Sequence, residues 1–291
     1  MTPKGIWAAV VTPIDRSYSH DILRAVAYYR DLLQRGCDGI NLLGTTGEAM
    51  SFSRDQRRRF MEAVAQRGLP MERVMAGTGA ASLQDAVALT RCAFSNRFAA
   101  ALVMPPFFFR DATDDGIVAF FDALFAQTSP PPKGVLLYNF PRMSGITFRP
   151  DLVDRLLAEF PGIVAGMKDS SNDGRLQSEV IARHPDFAVL PGSERDLLAA
   201  KRRGAFGCIS GSVALWPELA QRVWSGGDDE ASERLDAART MLDAFPFNPA
   251  VRYLISRSQH DAAWESPMPP LRSLSKEQRA ELDPAATTSM P

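Results

Sequence analysis

The sequence predicts a closed (β/α)8 TIM barrel with a C-terminal helical extension. Two observations carry this. Eight short, nearly continuous apolar runs alternate with longer amphipathic stretches, the pattern of parallel strands buried on both faces and joined by helices. After the eighth run the pattern becomes purely helical. The chain has 291 residues and is 45% hydrophobic, enough for a large core. A barrel of roughly 250 residues counts as one domain. The expected division is a barrel carrying the active site over 1–225 and a helical domain over 226–291.

The predicted strands are Ile6–Val11, Gly39–Leu43, Arg73–Ala76, Ala100–Met104, Val135–Tyr138, Ile163–Lys168, Phe187–Leu190 and Phe206–Ile209. Between them, Ile22–Arg35 reads as a helix closed by Gly36. Gln56–Gln66 follows Ser53, and Ser53 with Gln56 has capping-box spacing. Leu83–Arg97, Gly116–Thr128, Arg149–Glu159, Gly174–Arg183 and Asp196–Arg203 complete the alternation. Trp216–Trp224, Asp229–Phe245, Pro249–Ser258 and a segment near Ser275–Leu282 read as further helices, with a break at Gly226-Gly227 and fraying over Pro284–Pro291. An open doubly wound sheet is the alternative, but the first strand leads into "AVVTPID" rather than a Gly-rich dinucleotide loop.

Charge and composition exclude several classes. The 33 basic and 34 acidic residues leave a net charge of −1, without the basic footprint of a nucleic-acid binder. No apolar run approaches the ~18 residues of a membrane span. The N-terminus, with Lys4 and then Gly5–Val11 before Thr12 and Pro13, is too quickly broken for a signal peptide, so a cytoplasmic location is expected. Cys37, Cys92 and Cys208 are widely spaced and odd in number, and His20, His184 and His260 are scattered. Neither a disulfide framework, a metal site nor a Ser-His-Asp triad is indicated.

Only five of the 33 basic residues are lysines: Lys4, Lys133, Lys168, Lys201 and Lys276. Surface charge here is arginine's task, so a lysine in an unusual place needs a reason. Lys168, in "IVAGMKDSS", falls at the C-terminal end of the sixth strand, where barrel active sites are built. Its bland reading is a lysine reaching to solvent from a loop. Its functional reading is a partly desolvated amine, neutral often enough to attack a ketone and form a Schiff base. Tyr138, in "VLLYNFP", ends the fifth strand and offers a hydroxyl that can carry a proton, the alternative being a core aromatic. After the second strand comes "LLGTTGEAMSFS". There Gly44 and Gly47 permit a tight loop, and Thr45 and Thr46 present hydroxyls and N–H groups to a carboxylate. Glu48 reads as a structural hydrogen-bonding carboxylate. Ser210, Gly211 and Ser212 read as an anion-binding turn or the opening of the next helix.

These residues resemble the dihydrodipicolinate synthase/N-acetylneuraminate lyase family of pyruvate-dependent class I aldolases. The anchors are "GTTGEA", "YNFP" thirty residues before the lysine, "GMKDSS", "GCIS" and "FNPAVRYL". The resemblance implies the same barrel and C-terminal helices, a homotetramer or homodimer, no cofactor, and a small 2-oxo acid substrate. It implies that Lys168 forms the Schiff base, that Tyr138 shuttles protons with Thr46 in the relay, and that Thr45, Thr46 and Gly47 hold the carboxylate. Gly192 and Ile209 match positions lining the family's pocket.

The departures bear on the reaction. Dihydrodipicolinate synthases resemble "YNVPSRTG"; this chain reads "YNFPRMSG", with Met143 where their arginine grips a second carboxylate. Methionine makes no such salt bridge. Many members carry "PPYYY", whose tyrosine completes the proton relay across a subunit interface. Here the stretch is "PPFFFR", and Phe107, Phe108 and Phe109 have no hydroxyl. "YNFPRMSG" is closer to the sialic acid lyases' "YNIPALSG", yet their "GYDE" is "GSER" here. Glu194 and Arg195 in that stretch are read either as substrate contacts or as solvated loop charges. The expected function is reversible C–C cleavage of a 2-oxo (sugar) acid. Dehydration of a 2-keto-3-deoxy sugar acid on the same Schiff base is the nearest alternative, and 4-hydroxy-tetrahydrodipicolinate synthesis is disfavoured by Met143 and Phe108. A non-catalytic 2-oxo acid sensor and a phosphate-binding barrel enzyme are the readings from other classes.

Overall fold

The computed structural model describes residues 2–289. Its strands are β1 (Gly5–Ala9), β2 (Gly39–Leu42), β3 (Val74–Gly77), β4 (Ala101–Val103), β5 (Val135–Asn139), β6 (Val164–Asp169), β7 (Ala188–Pro191) and β8 (Gly207–Ser210). All named pairings are parallel, in the order β7-β6-β5-β4-β3-β2-β1-β8. A hydrogen bond from Phe206 N–H to the Val189 carbonyl (3.0 Å) bridges the seam between β7 and β8. The alternation of side chains sends one set inward, including Trp7, Ala9, Met75, Leu102, Leu136, Tyr138, Leu190 and Ile209. Their neighbours Ile6, Ala8, Ile40, Leu42, Val103 and Leu137 face the helical layer. This is a (β/α)8 barrel.

The helices are α1 (Ile22–Gln34), α2 (Arg54–Ala65), α3 (Leu83–Ser95), α4 (Asp114–Thr128), α5 (Pro141–Ser144), α6 (Pro150–Glu159), α7 (Gly174–Arg183) and α8 (Leu197–Arg202), followed by α9 (Pro217–Gln221), α10 (Asp229–Asp243), α11 (Phe247–Ser258) and α12 (Lys276–Ser289). The Ser53–Gln56 capping box forms in both directions at the start of α2.

Three expected elements change in kind or extent, and one element is added. Val10 and Val11 stay buried but leave the β1 ladder as the chain turns toward Pro13. The single turn α5 is too short for any periodicity to announce. The helix expected over Trp216–Trp224 is α9 followed by a π-turn over Arg222–Gly226. Lys201 Nζ donates to the Trp224 carbonyl there, and such an inserted donor loosens the helical ladder. Finally, α12 runs through Pro284 rather than fraying there. Leu282 is fully buried and the Tyr253 hydroxyl donates to Asp283, which docks the turn before the proline. The rest of the expected fraying, Met290 and Pro291, lies outside the described residues.

His20, in the segment joining β1 to α1, stacks between Phe52 (4.4 Å) and Phe60 (4.6 Å). Its Nε2 has no hydrogen-bond partner among the described residues. Burial, with the Arg59 charge adding to it, pushes its pKa down from 6.5 to about 4. His20 is therefore neutral in the fold but takes a proton near pH 6.5 when unfolded, so stability falls as pH drops from about 6.5 to about 4. The loss from this one group is about 3 kcal/mol at most. Urea midpoints at neutral and mildly acid pH should converge in His20→Leu relative to the parent, and an unchanged acid loss in that variant would assign it to other groups.

Candidate active site

The β5–β6 register sets Tyr138 directly beside Lys168. Both point into the barrel and are almost completely buried, Lys168 at 3% and Tyr138 at 4% exposure. The Lys168 Nζ lies 4.5 Å from the centroid of the Tyr138 ring. The Tyr138 hydroxyl in turn lies 3.1 Å from Thr45 Oγ1. An amine, a phenol and a hydroxyl thus form one chain across β6, β5 and the loop after β2. Among the described residues the Lys168 amine takes part in no ion pair, and it lies over the face of the Tyr138 ring.

The residues one step along hold this pair in place. Asn139 and Asp169 face each other across the same register, with their side chains on the outer side of the sheet. Asp169 accepts from Asn139 Nδ2 (2.6 Å), Gln177 Nε2 (2.7 Å) and the Ser171 hydroxyl (2.9 Å). Asn139 Oδ1 accepts from the Phe148 N–H (3.0 Å). These charge-assisted bonds fix the strand ends from which Tyr138 and Lys168 project. The signal is present in "YN" and "KD": each inward-facing residue of the pair is followed by a polar residue too close to the strand to be free in solvent.

The Thr45 loop is pinned from below and behind. The sequence assigns its tight turn to Gly44 and Gly47, yet the left-handed residues are Leu43 (φ 52°) and Glu48 (φ 54°). Gly47 is needed for space instead. A Cβ there would come within 3.0 Å of the Val10 carbonyl and 3.1 Å of Thr12 Oγ1. The strained loop is held by the C-terminal helices. Asn248 Nδ2 donates to the Thr45 carbonyl (3.1 Å). Arg252 donates to Glu48 (2.6 Å) and to the Thr12 carbonyl (2.8 Å), and Glu48 also accepts from the Met268 N–H (2.7 Å). Glu48 is thus the structural carboxylate the sequence suggests. The partners Asn248 and Arg252 stand in "FNPAVRYL", but no local spacing links them to a loop two hundred residues earlier.

The remaining expected site residues divide. Thr46 is buried, and its Oγ1 would meet a Cβ on Gly211 at 2.7 Å. Ile209 projects into the barrel interior from β8. Gly192 follows β7 and donates its N–H to the Asp169 carbonyl (2.6 Å); a Cβ there would strike Ser170 Oγ. Met143, on α5, is 47% exposed. Phe107 packs against the interior cluster, whereas Phe108 and Phe109 meet edge to face and are both exposed. Glu194 is not a solvated loop charge. It is fully buried, taking hydrogen bonds from the hydroxyls of Ser210 (2.5 Å) and Ser212 and an ion pair from Arg239 on α10 (3.3 Å). Arg239 also stacks on Phe247 (4.8 Å), so the pair ties β7 and β8 to α10 and α11. Ser210 and Ser212 accordingly spend their hydroxyl protons on Glu194. Arg195 pairs with Asp243 at the surface.

Among the described residues no helix is long and apolar enough to cross a membrane. The model of the dihydrodipicolinate synthetase family matches residues 2–288. The chain is 34% identical over 293 residues to an uncharacterized DapA-like lyase of Chloroflexus aurantiacus, covering 96% of this chain and 95% of that one. It superposes on the crystal structure of dihydrodipicolinate synthase from Agrobacterium tumefaciens with a TM-score of 0.94 and 32% identity, over 99% of this chain and 100% of the other. The prophage protein YagE of E. coli K12, a dihydrodipicolinic acid synthase family member solved in complex with pyruvate, shares the fold at a TM-score of 0.88 and 23% identity, covering 98% of each chain. With its whole length matched in sequence and in three dimensions, the chain belongs to the dihydrodipicolinate synthetase family of class I, Schiff-base-forming lyases.

Proposed function

We propose that the enzyme cleaves or forms a C–C bond of a 2-oxo acid, with Lys168 as the Schiff-base amine. The observation that carries this is the chain from buried Lys168 and Tyr138 to half-buried Thr45 at the C-terminal end of the barrel. Lys168 Nζ adds to the C2 carbonyl, and the carbinolamine loses water to give an iminium ion. The Tyr138 hydroxyl, linked to Thr45, supplies and recovers the protons of these steps. N–H groups and hydroxyls of Thr45, Thr46 and Gly47 hold the carboxylate. In the cleavage direction the hydroxyl on C4 loses its proton, the C3–C4 bond breaks, and its electron pair flows into the iminium to give an enamine. The aldehyde leaves, C3 takes a proton, and water releases the shortened 2-oxo acid and the free amine.

Pyruvate is the simplest 2-oxo acid such a site takes, and the pyruvate bound in YagE supports that choice. Met143, about half exposed and uncharged, gives no grip on a second carboxylate, which disfavours 4-hydroxy-tetrahydrodipicolinate synthesis. Enamine formation makes the methyl protons of pyruvate exchange with solvent. Deuterium uptake into pyruvate, followed by NMR, should be catalysed by the parent enzyme and slowed about 10²–10⁴-fold in Tyr138→Phe. Absence of exchange from the folded parent enzyme would overturn the proposal. Full exchange in Tyr138→Phe would remove Tyr138 from it.

A further inference from the structure

Asn41 lies on β2 with its backbone in register between Ala9 of β1 and Met75 of β3. Its neighbours Ile40 and Leu42 face the helical layer, so Asn41 faces the barrel interior with Trp7, Ala9 and Met75. It is fully buried, and among the described residues neither Nδ2 nor Oδ1 has a hydrogen-bond partner. A buried amide with both ends unsatisfied is costly, and an apolar residue would fill the same place at no such cost. The amide reaches upward. Its Nδ2 lies 2.8 Å from where a Cβ on Gly44 would stand, immediately below the loop that presents Thr45 to Tyr138.

We propose that Asn41 determines donor specificity: its side-chain amide hydrogen-bonds a hydroxyl on C3 of the 2-oxo acid joined to Lys168, so that the preferred donor is a 3-hydroxy-2-oxo acid. The inference rests on the Schiff-base reading above. Asn41 is fully buried on a barrel strand just below the loop that carries Thr45, so on this proposal a long substrate tail leaves by the mouth and the groups offered to the amide are those near C2. Two such groups exist, the C1 carboxylate and a substituent on C3. A carboxylate accepts only; it would satisfy Nδ2 but leave Oδ1 facing an anion. A hydroxyl both donates and accepts, and one hydroxyl satisfies both ends of the amide. A methyl group, as in pyruvate, satisfies neither. A site built to bond a hydroxyl discriminates strongly against an analogue lacking it, because the buried polar atoms are then left bare.

The test is borohydride trapping at Lys168 with pyruvate and with hydroxypyruvate, each titrated to half-saturation and read by mass spectrometry. The parent enzyme should trap hydroxypyruvate at lower concentration than pyruvate. In Asn41→Leu that preference should fall about 10–100-fold. Asn41→Ala reads the same ratio if the leucine variant does not fold. A preference unchanged by these variants, together with a raised melting temperature, would mean the amide holds only internal water and would overturn the proposal. A parent enzyme that traps pyruvate but shows no preference for hydroxypyruvate would overturn it while leaving the Schiff base intact. Failure to trap either acid would overturn both.

Discussion

Lys168→Ala is expected to abolish turnover, with a loss on the order of 10⁴–10⁶-fold in kcat, because in the proposed mechanism the group removed is the one that bonds to substrate. No neighbouring amine can take over. Of the other four lysines, Lys201 is bound to the Trp224 carbonyl on the helical layer and none lies on a barrel strand. The substitution removes a charge-capable group from an apolar interior, so the variant should fold at least as well as its parent. That separates loss of chemistry from loss of structure. Deuterium exchange into pyruvate and the melting temperature, measured on the same preparation, give the two readouts. Residual exchange within about tenfold of the parent would mean that a different group carries the reaction.

Arg252→Leu is the second large effect, and it falls on stability. Arg252 and Glu48 are both essentially inaccessible, 2.6 Å apart, with the guanidinium also holding the carbonyls of Thr12 and Trp264. Removing one partner of a buried pair strands the other, at a cost of about 3–5 kcal/mol. For a chain of this size the melting temperature should fall by about 10 °C. Adding Glu48→Gln should recover part of the loss, since the stranded charge is then gone. The same variant should weaken pyruvate binding, because Glu48 ends the loop that carries Thr45 and Thr46. A melting temperature within about 2 °C of the parent would show that the loop does not depend on this pair.

The barrel was legible because strands buried on both faces must be apolar throughout, and eight such runs stand out against arginine-rich amphipathic helices. Lys168 and Tyr138 were legible for a related reason. A scarce lysine and a scarce tyrosine each end an apolar run, and parallel strands deliver all their C-terminal ends to one face. What the sequence hid is long-range or inside out. Glu194 looks like a loop charge because its partners Ser210, Ser212 and Arg239 come 16 to 45 residues later. Asn248 and Arg252 hold the Thr45 loop from some two hundred residues further along the chain, 203 and 204 residues from Thr45 and Glu48. Conformational preference points to the glycines for the turn at that loop, whereas Leu43 and Glu48 take the left-handed geometry under the grip of those distant helices. Asn41 within "GINLL" carries no sequence signal of its own, because a single polar residue in a strand declares its face only once the register is known.

Borohydride reduction in the presence of pyruvate, followed by peptide mapping, tests the account most directly. It predicts one stable pyruvate-derived adduct, on the peptide carrying Lys168, formed in step with loss of activity and absent from Lys168→Ala. An adduct on another lysine, or an active enzyme that borohydride and pyruvate together leave unmodified, would contradict it.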